Sequence, residues 1–369
     1  MDALSEILKA IHLQGAVFLD ADLREGWSYL TPSPQLIGEL HMPGAEHIIP
    51  YHLITSGACH AGPVGSELVA VEAGDLIVFP HGDRHILASA SAVDREPTEI
   101  AADMLRGLLR PGEVAPMRNG GANVSTSLVC GYLACDRRLS EQYVAALPRM
   151  LRISVTTAGL ADWLQSTVRF SVAESASPRP GSAAVLAKLS ELLFVEAIRH
   201  HVETLPAGQT GWLAGLRDRF VGRALALLHH DPAYPWSVDE LARRVGLSRS
   251  ALAERFGNLL GQPPMQYLTS WRLTLAAREM LSGTRALALI AQDSGYESEA
   301  AFNRAFKREY GVPPATWRKN SGETNDDVDE DVDDAVSAGS QPPREQLPAA
   351  GGVALEVTPR PPRDLRPKP

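Results

Sequence analysis

The chain has 369 residues, 44% of them apolar and 21% charged, the balance of a globular protein with two or three domains rather than a fibrous or disordered one. No apolar run approaches the roughly 18–20 residues of a membrane span, the N-terminus lacks the basic and apolar regions of a secretory signal, and three cysteines are too few for a disulfide framework, so a reducing cytoplasm is expected. The net charge of −9 opposes a nucleic-acid partner only as an average: residues 217–319 hold 15 Lys and Arg against 10 Asp and Glu, residues 1–216 hold 15 against 23, and residues 320–369 hold 5 against 11. A basic module between two acidic neighbours points to a polyanion.

From residue 1 to about 155 the chain carries short apolar runs separated by turn signals. Leu36-Ile-Gly-Glu-Leu40, His52-Leu-Ile-Thr55, Leu68-Val-Ala-Val71 and Leu76-Ile-Val-Phe79 alternate with turns at Pro43-Gly44, Ala73-Gly-Asp75 and Pro80-His-Gly-Asp83. Many short strands at this spacing predict a small β-barrel or sandwich, with helices over 99–109 and 139–153 packed against it. Within this region Gly74-Asp-Leu-Ile-Val-Phe-Pro80-His-Gly82-Asp-Arg-His85 resembles the second motif of cupin barrels. The first cupin motif normally supplies His-x-His and a nearby Glu. Its counterpart here, Pro50-Tyr-His52-Leu-Ile-Thr-Ser-Gly57, has one His and no Glu at that offset. His52 and His85 are therefore read first as barrel-lining histidines with hydrogen-bonded partners. A zinc or iron site joined by His81, Cys59 or His60 is the alternative. Cys130 and Cys135 are five apart in a strand-like stretch, which puts them on opposite faces and disfavours a disulfide. Buried small hydrophobes are the first reading of Cys59, Cys130 and Cys135, and redox sensing the second.

The Ser-, Pro- and Gly-containing stretch between Val172 and Ser182 predicts a hinge, which closes a first domain of residues 1–182. Over 183–205, Leu186, Leu189, Leu193, Ile198 and Val202 form an apolar stripe at helical spacing. This helix, within a segment 183–212, either packs on its own domain or joins two copies into a homodimer.

Residues 217–319 read as helix throughout and contain an internal repeat. Leu241-Ala-Arg-Arg-Val-Gly246-Leu-Ser-Arg-Ser-Ala-Leu252-Ala-Glu-Arg-Phe256 aligns with Ile290-Ala-Gln-Asp-Ser-Gly295-Tyr-Glu-Ser-Glu-Ala-Ala-Phe302-Asn-Arg-Ala-Phe306, with one extra residue in the second turn. An apolar-Ala pair before a Gly, then a Ser cap and two large apolar residues four apart, is the arithmetic of a helix-turn-helix. A helix from Pro264 to Leu281 separates the copies. It would hold two reading helices about one DNA turn, ~34 Å, apart.

Residues 217–319 resemble the DNA-binding domain of the AraC/XylS transcription regulators. The matches are Ser248-Arg-Ser-Ala-Leu-Ala-Glu-Arg-Phe256, Gly261-Gln-Pro-Pro-Met-Gln-Tyr267, Trp271-Arg-Leu273, and Asp293-Ser-Gly-Tyr-Glu-Ser298 through Phe302-Asn-Arg-Ala-Phe-Lys307 to Gly311-Val-Pro-Pro314. The resemblance implies seven helices, two of them in adjacent major grooves of promoter DNA. It places base-facing positions at Ser250, Ala253 and Glu254, and at Glu299, Ala300 and Arg304. Arg304 suits bidentate pairing with guanine, and Glu254 and Glu299 can accept from cytosine N4. Arg249, Arg255, Lys307 and Arg308 are assigned to the phosphate backbone. The N-terminal half then looks like the cupin-type sensor of such regulators, taking a small-molecule or redox signal. Activation, with RNA polymerase as partner, is the commoner mode in the family.

The expected architecture is thus α+β and multidomain, with a cupin-like β-barrel and flanking helices followed by an all-α domain with two helix-turn-helix units. After Asn320 an acidic, then Pro-rich segment, 320–369, reads as disordered. The rival reading, a metal-dependent cupin enzyme fused to a helical domain, lacks the His-x-His and Glu of a metal centre and any nucleophile signature.

Overall fold

The computed structural model describes residues 2–319 apart from 12, 43–44, 101, 109–113, 120–123, 155–165, 167–169, 171–172, 175–178, 207 and 284. The expected turn at 43–44, residues 175–178 of the hinge and the tail at 320–369 lie outside the described residues.

The N-terminal half is a curled sheet of ten strands with the character of a cupin half-barrel. Its long strands are β1 (Gln14–Leu23), β3 (His47–Pro63) and β9 (Thr126–Cys135), and β9 lies antiparallel between the other two. The shorter strands β2 (Ser28–Leu30), β4 (Val69–Glu72), β5 (Leu76–Val78), β6 (His85–Ala88), β7 (Thr98–Glu99), β8 (Ala115–Arg118) and β10 (Leu151–Ile153) close the curl. Alternation along a strand sorts side chains between two cores. Ile54, Leu128, Cys130 and Tyr132 face the barrel interior. Leu53, Val129, Leu133 and Cys135 face outward and are covered by α5 (Ser182–Thr204) through Leu193, Phe194 and Ala197. Cys130 and Cys135 therefore sit on opposite faces of β9, as their spacing predicts.

Helix α5 follows the predicted span within a residue and lies on the outer face of the barrel. Gly15 of β1 makes that packing close, because a Cβ there would stand 2.6 Å from the carbonyl oxygen of Ala187. Tyr51 of β3 reaches across to share a 2.5 Å hydrogen bond with Ser190 of α5.

Two expectations are corrected. Leu36–Leu40 lies in a helix, α2 (Pro34–His41), rather than a strand: Ser33 accepts from the Leu36 N–H at 3.2 Å, and Pro34 occupies the first turn, where its missing N–H costs nothing. The predicted helix over 139–153 ends early. Helix α4 (Arg137–Val144) stops before Pro148, and Leu151–Ile153 pairs with β5 as β10, because proline disfavours helix in the residue before it. The helix expected over 99–109 is α3 (Ala102–Leu108). One element escapes the sequence reading altogether. Helix α1 (Ala3–Ala10), capped by Asp2 accepting from the Ser5 N–H at 3.0 Å, precedes the first strand.

The C-terminal module contains α6 (Trp212–Arg217), α7 (Val221–His230), α8 (Val238–Val245), α9 (Arg249–Leu260), α10 (Pro264–Ser282), α11 (Leu287–Asp293) and α12 (Glu299–Tyr310), with a last helical stretch over 314–319. Its first core gathers Leu225, Leu228, Leu241, Leu252 and Phe256. Its second gathers Trp271, Leu273, Ile290, Phe302, Phe306 and Trp317. Helix α1 joins them: Ala3 belongs to the first core, and Ile7, Ala10 and Ile11 to the second. Leu139 and Tyr143 of α4 enter the second core as well.

Candidate nucleic-acid interface and barrel site

Both repeats fold as helix-turn-helix units with matching local chemistry. In the first, Gly246 ends α8 at φ 83°, and the Leu247 N–H bonds the Ala242 carbonyl at 2.9 Å. In the second, Gly295 takes φ 77° after α11, and the Tyr296 N–H bonds the Ala291 carbonyl at 3.0 Å. A left-handed residue that returns the chain to the helix's last carbonyls is a glycine-type C-cap. Ser248 and Ser298 then open the second helices, each Oγ accepting at 3.2 Å from the N–H three residues on. The second turn holds the extra residue that the alignment requires. Ala242 and Ala291 are buried where the paired helices cross, and Leu252 with Phe256, and Phe302 with Phe306, anchor α9 and α12.

The outward faces of these two helices are uncovered. Ser250, Ala253 and Glu254 on α9 are exposed, and so are Glu299, Ala300 and Arg304 on α12. Arg249, Arg255, Lys307 and Arg308 are exposed beside them. The cations differ in what holds them. Arg255 is clamped to Asp218 by three contacts of 2.5–2.9 Å, and the same carboxylate caps α7 by accepting from the N–H groups of Phe220 and Val221. Arg249 lies 3.3 Å from Asp239. Among the described residues, Arg304 and Lys307 form no ion pair.

Sequence reasoning passed over Arg272, which sits in the quoted Trp271-Arg-Leu273 match. From α10 its guanidinium donates to the carbonyls of Pro232 at 2.6 Å and Tyr234 at 3.0 Å, and reaches toward Gly295 at 3.5 Å. It thus ties the first unit to the turn of the second. An isolated arginine followed by leucine carries no signal of that role, since the carbonyls it meets lie about 40 residues earlier and 23 residues later.

In the barrel, His52, His85 and Cys130 come together although far apart in sequence. His52 and Cys130 are cross-strand partners on β3 and β9. Their hydrogen bonds run in one direction. The Asp83 carbonyl can only accept, so His85 Nδ1 carries the proton that it donates at 2.9 Å. His85 Nε2 is then an acceptor for His52 Nε2–H at 2.6 Å. His52 Nδ1 in turn accepts from the Cys130 thiol at 2.9 Å. Burial keeps all three neutral: it pushes His85 down to about 4, holds His52 well below its ordinary value and raises the Cys130 thiol.

The metal alternative does not match this arrangement. That alternative joins His52 and His85 through His81, Cys59 or His60, and among the described residues no group of three His, Cys, Asp or Glu is placed to hold a metal. His60 lies on β3 between Cys59 and Ala61, which both belong to the barrel core, so alternation turns it to the other face. His81, carried outward by the turn after Pro80, bonds the Leu147 carbonyl at 2.8 Å on the barrel rim. Cys59 is buried, with its thiol pushed up to about 12.

Residues 2–203 match the cupin family and residues 241–320 a helix-turn-helix domain family. A Streptomyces lividans protein described as an AraC-like transcription regulator is 31% identical over 75% of this chain and 88% of its own. A Streptomyces antibioticus protein of the same description is 30% identical over 87% of this chain and 99% of its own. Among solved structures, ToxT from Vibrio cholerae O395 is similar over 84% of this chain and 98% of its own, at 14% identity and a TM-score of 0.32.

Proposed function

The chain belongs to the AraC-type transcription regulators, which bind DNA through a helix-turn-helix module, and we propose that α9 and α12 enter successive major grooves of promoter DNA. One observation carries this: both second helices leave their predicted base-facing residues exposed in the chain's one basic region. Arg304 pairs with a guanine, and Glu254 and Glu299 read cytosine amino groups. Ser250, Ala253 and Ala300 supply short contacts to neighbouring base edges. Arg249, Lys307 and Arg308 hold phosphates. Arg255, clamped to Asp218, acts first as a strut that keeps α9 on α7.

The barrel is the sensor, and its effector acts by favouring one conformation of the whole chain over another. In this reading α5 belongs to the sensor. The apolar stripe of α5 read from the sequence is spent within the chain, with Leu186, Leu193 and Ile198 buried. A homodimer would therefore use its other face, where Val185 is 40% and Leu192 42% exposed, and would be readable by sedimentation.

The test is the affinity of the full chain for DNA selected from a random pool, measured against salt. The three phosphate contacts of each chain should weaken binding roughly fortyfold between 50 and 200 mM salt. An affinity independent of salt, or no selected sequence at all, sinks the reading.

A further inference from the structure

The barrel interior holds a partly open pocket of about 60 Å³, with Trp27, Ile37, Ile48, His52, Leu105 and Cys130 among its lining residues. Resting on the reading of the barrel as sensor, we infer that this cavity takes a small, uncharged, mainly hydrocarbon molecule bearing one hydrogen-bond-accepting oxygen, of the ketone, ester or ether class.

Three observations define that class. First, the lining contains no Lys, Arg, Asp or Glu, so nothing there balances a ligand charge, and an unpaired ion in an apolar site is strongly disfavoured. Second, the polar groups of the lining are largely committed elsewhere. The Cys130, His52 and His85 donors are spent along their own line of hydrogen bonds, and Thr31 donates to the His85 carbonyl at 3.0 Å. Third, Trp27 is 4% exposed and its Nε1 is the one buried polar side-chain atom of the described lining without a partner. Buried indole N–H groups ordinarily find an acceptor. A ligand oxygen supplies it. The capacity sets the size: at about 10–15 Å³ for each water-sized volume, the cavity holds about four to six heavy atoms.

The experiment uses the full chain labelled with ¹⁵N-tryptophan, the Trp27 indole signal being identified by its loss in Trp27→Phe. It is titrated with 2-pentanone, n-pentane, butyrate and butylammonium, and the Trp27→Phe chain is titrated with the first two. The ketone should bind and move the Trp27 indole proton downfield. It should bind about tenfold more tightly than n-pentane, the worth of one hydrogen bond, while both ions bind more weakly than either. Trp27→Phe should remove the ketone's advantage and leave n-pentane unchanged. Tighter binding of either ion, an unmoved indole, an advantage that survives Trp27→Phe, or no binding by the ketone would each overturn the inference. Promoter affinity with and without ketone is read separately. A ketone that fills the barrel without altering that affinity would refute the sensor reading while leaving the ligand class intact.

Discussion

Arg304 and His85 make opposite uses of charge. Arg304 keeps its cation on the open face of α12, where Arg304→Ala should cost ~1–3 kcal/mol of specific DNA binding and relax discrimination at one base pair. Site selection with the variant checks this, and an unchanged preference would remove Arg304 from the reading set. His85 is held neutral, since burial pushes it down to about 4 from an ordinary 6.5. Between those values the unfolded chain takes up a proton that the fold refuses. Stability is therefore complete above about pH 6.5 and declines as pH falls toward 4, by about 2 kcal/mol at pH 5 from this ring alone. Urea unfolding at pH 7.5 and pH 5 should show that decline, and His85→Gln should lose this part of it. The exposed residues were legible in the sequence because the repeat marks which positions point outward. The line from Cys130 through His52 to His85 was not, since the register of β3 against β9 brings together residues 78 apart.

At the scale of elements, the two turns look equivalent in sequence and differ in space. A Cβ at Gly246 meets nothing within 4 Å, whereas one at Gly295 meets the Arg272 guanidinium at 3.0 Å and the Ala233 Cα at 3.1 Å. Gly246→Ala should therefore cost only the left-handed backbone penalty, about 1–2 kcal/mol. Gly295→Ala should cost more, because it also displaces the arginine that braces the second unit. Thermal unfolding of the two variants ranks them, and equal losses would mean that the brace carries no energy. The same contrast explains the misread elements. Leu36–Leu40 has strand-like composition, but Ser33 and Pro34 start a helix. The run after α4 has helical periodicity, but Pro148 ends it and β5 offers Leu151–Ile153 a partner.

At the scale of the molecule, α1 and α4 make the barrel half and the helix-turn-helix module share a core. Ile7 is 1% exposed and packs in the cluster that holds Trp271, Phe302 and Phe306. A charge there is unpaired and buried, so Ile7→Asp should loosen this junction. Calorimetry should then resolve two unfolding transitions where the intact chain gives one. A single transition in the variant would show that the junction does not hold the halves together.

By itself the sequence determined the two helix-turn-helix units, their caps, the long helix between them, the strand-rich first half and the separation of Cys130 from Cys135. Each of these is written in periodicity or in a residue whose backbone preference is local. Tertiary structure alone decided that α1 bridges both halves, that Arg255 serves Asp218, that Arg272 braces the second turn, and that His52, His85 and Cys130 meet in the lining of a pocket they share with the Trp27 indole. These depend on contacts between residues distant along the chain, and no local pattern encodes which distant carbonyl, carboxylate or ring a side chain will meet.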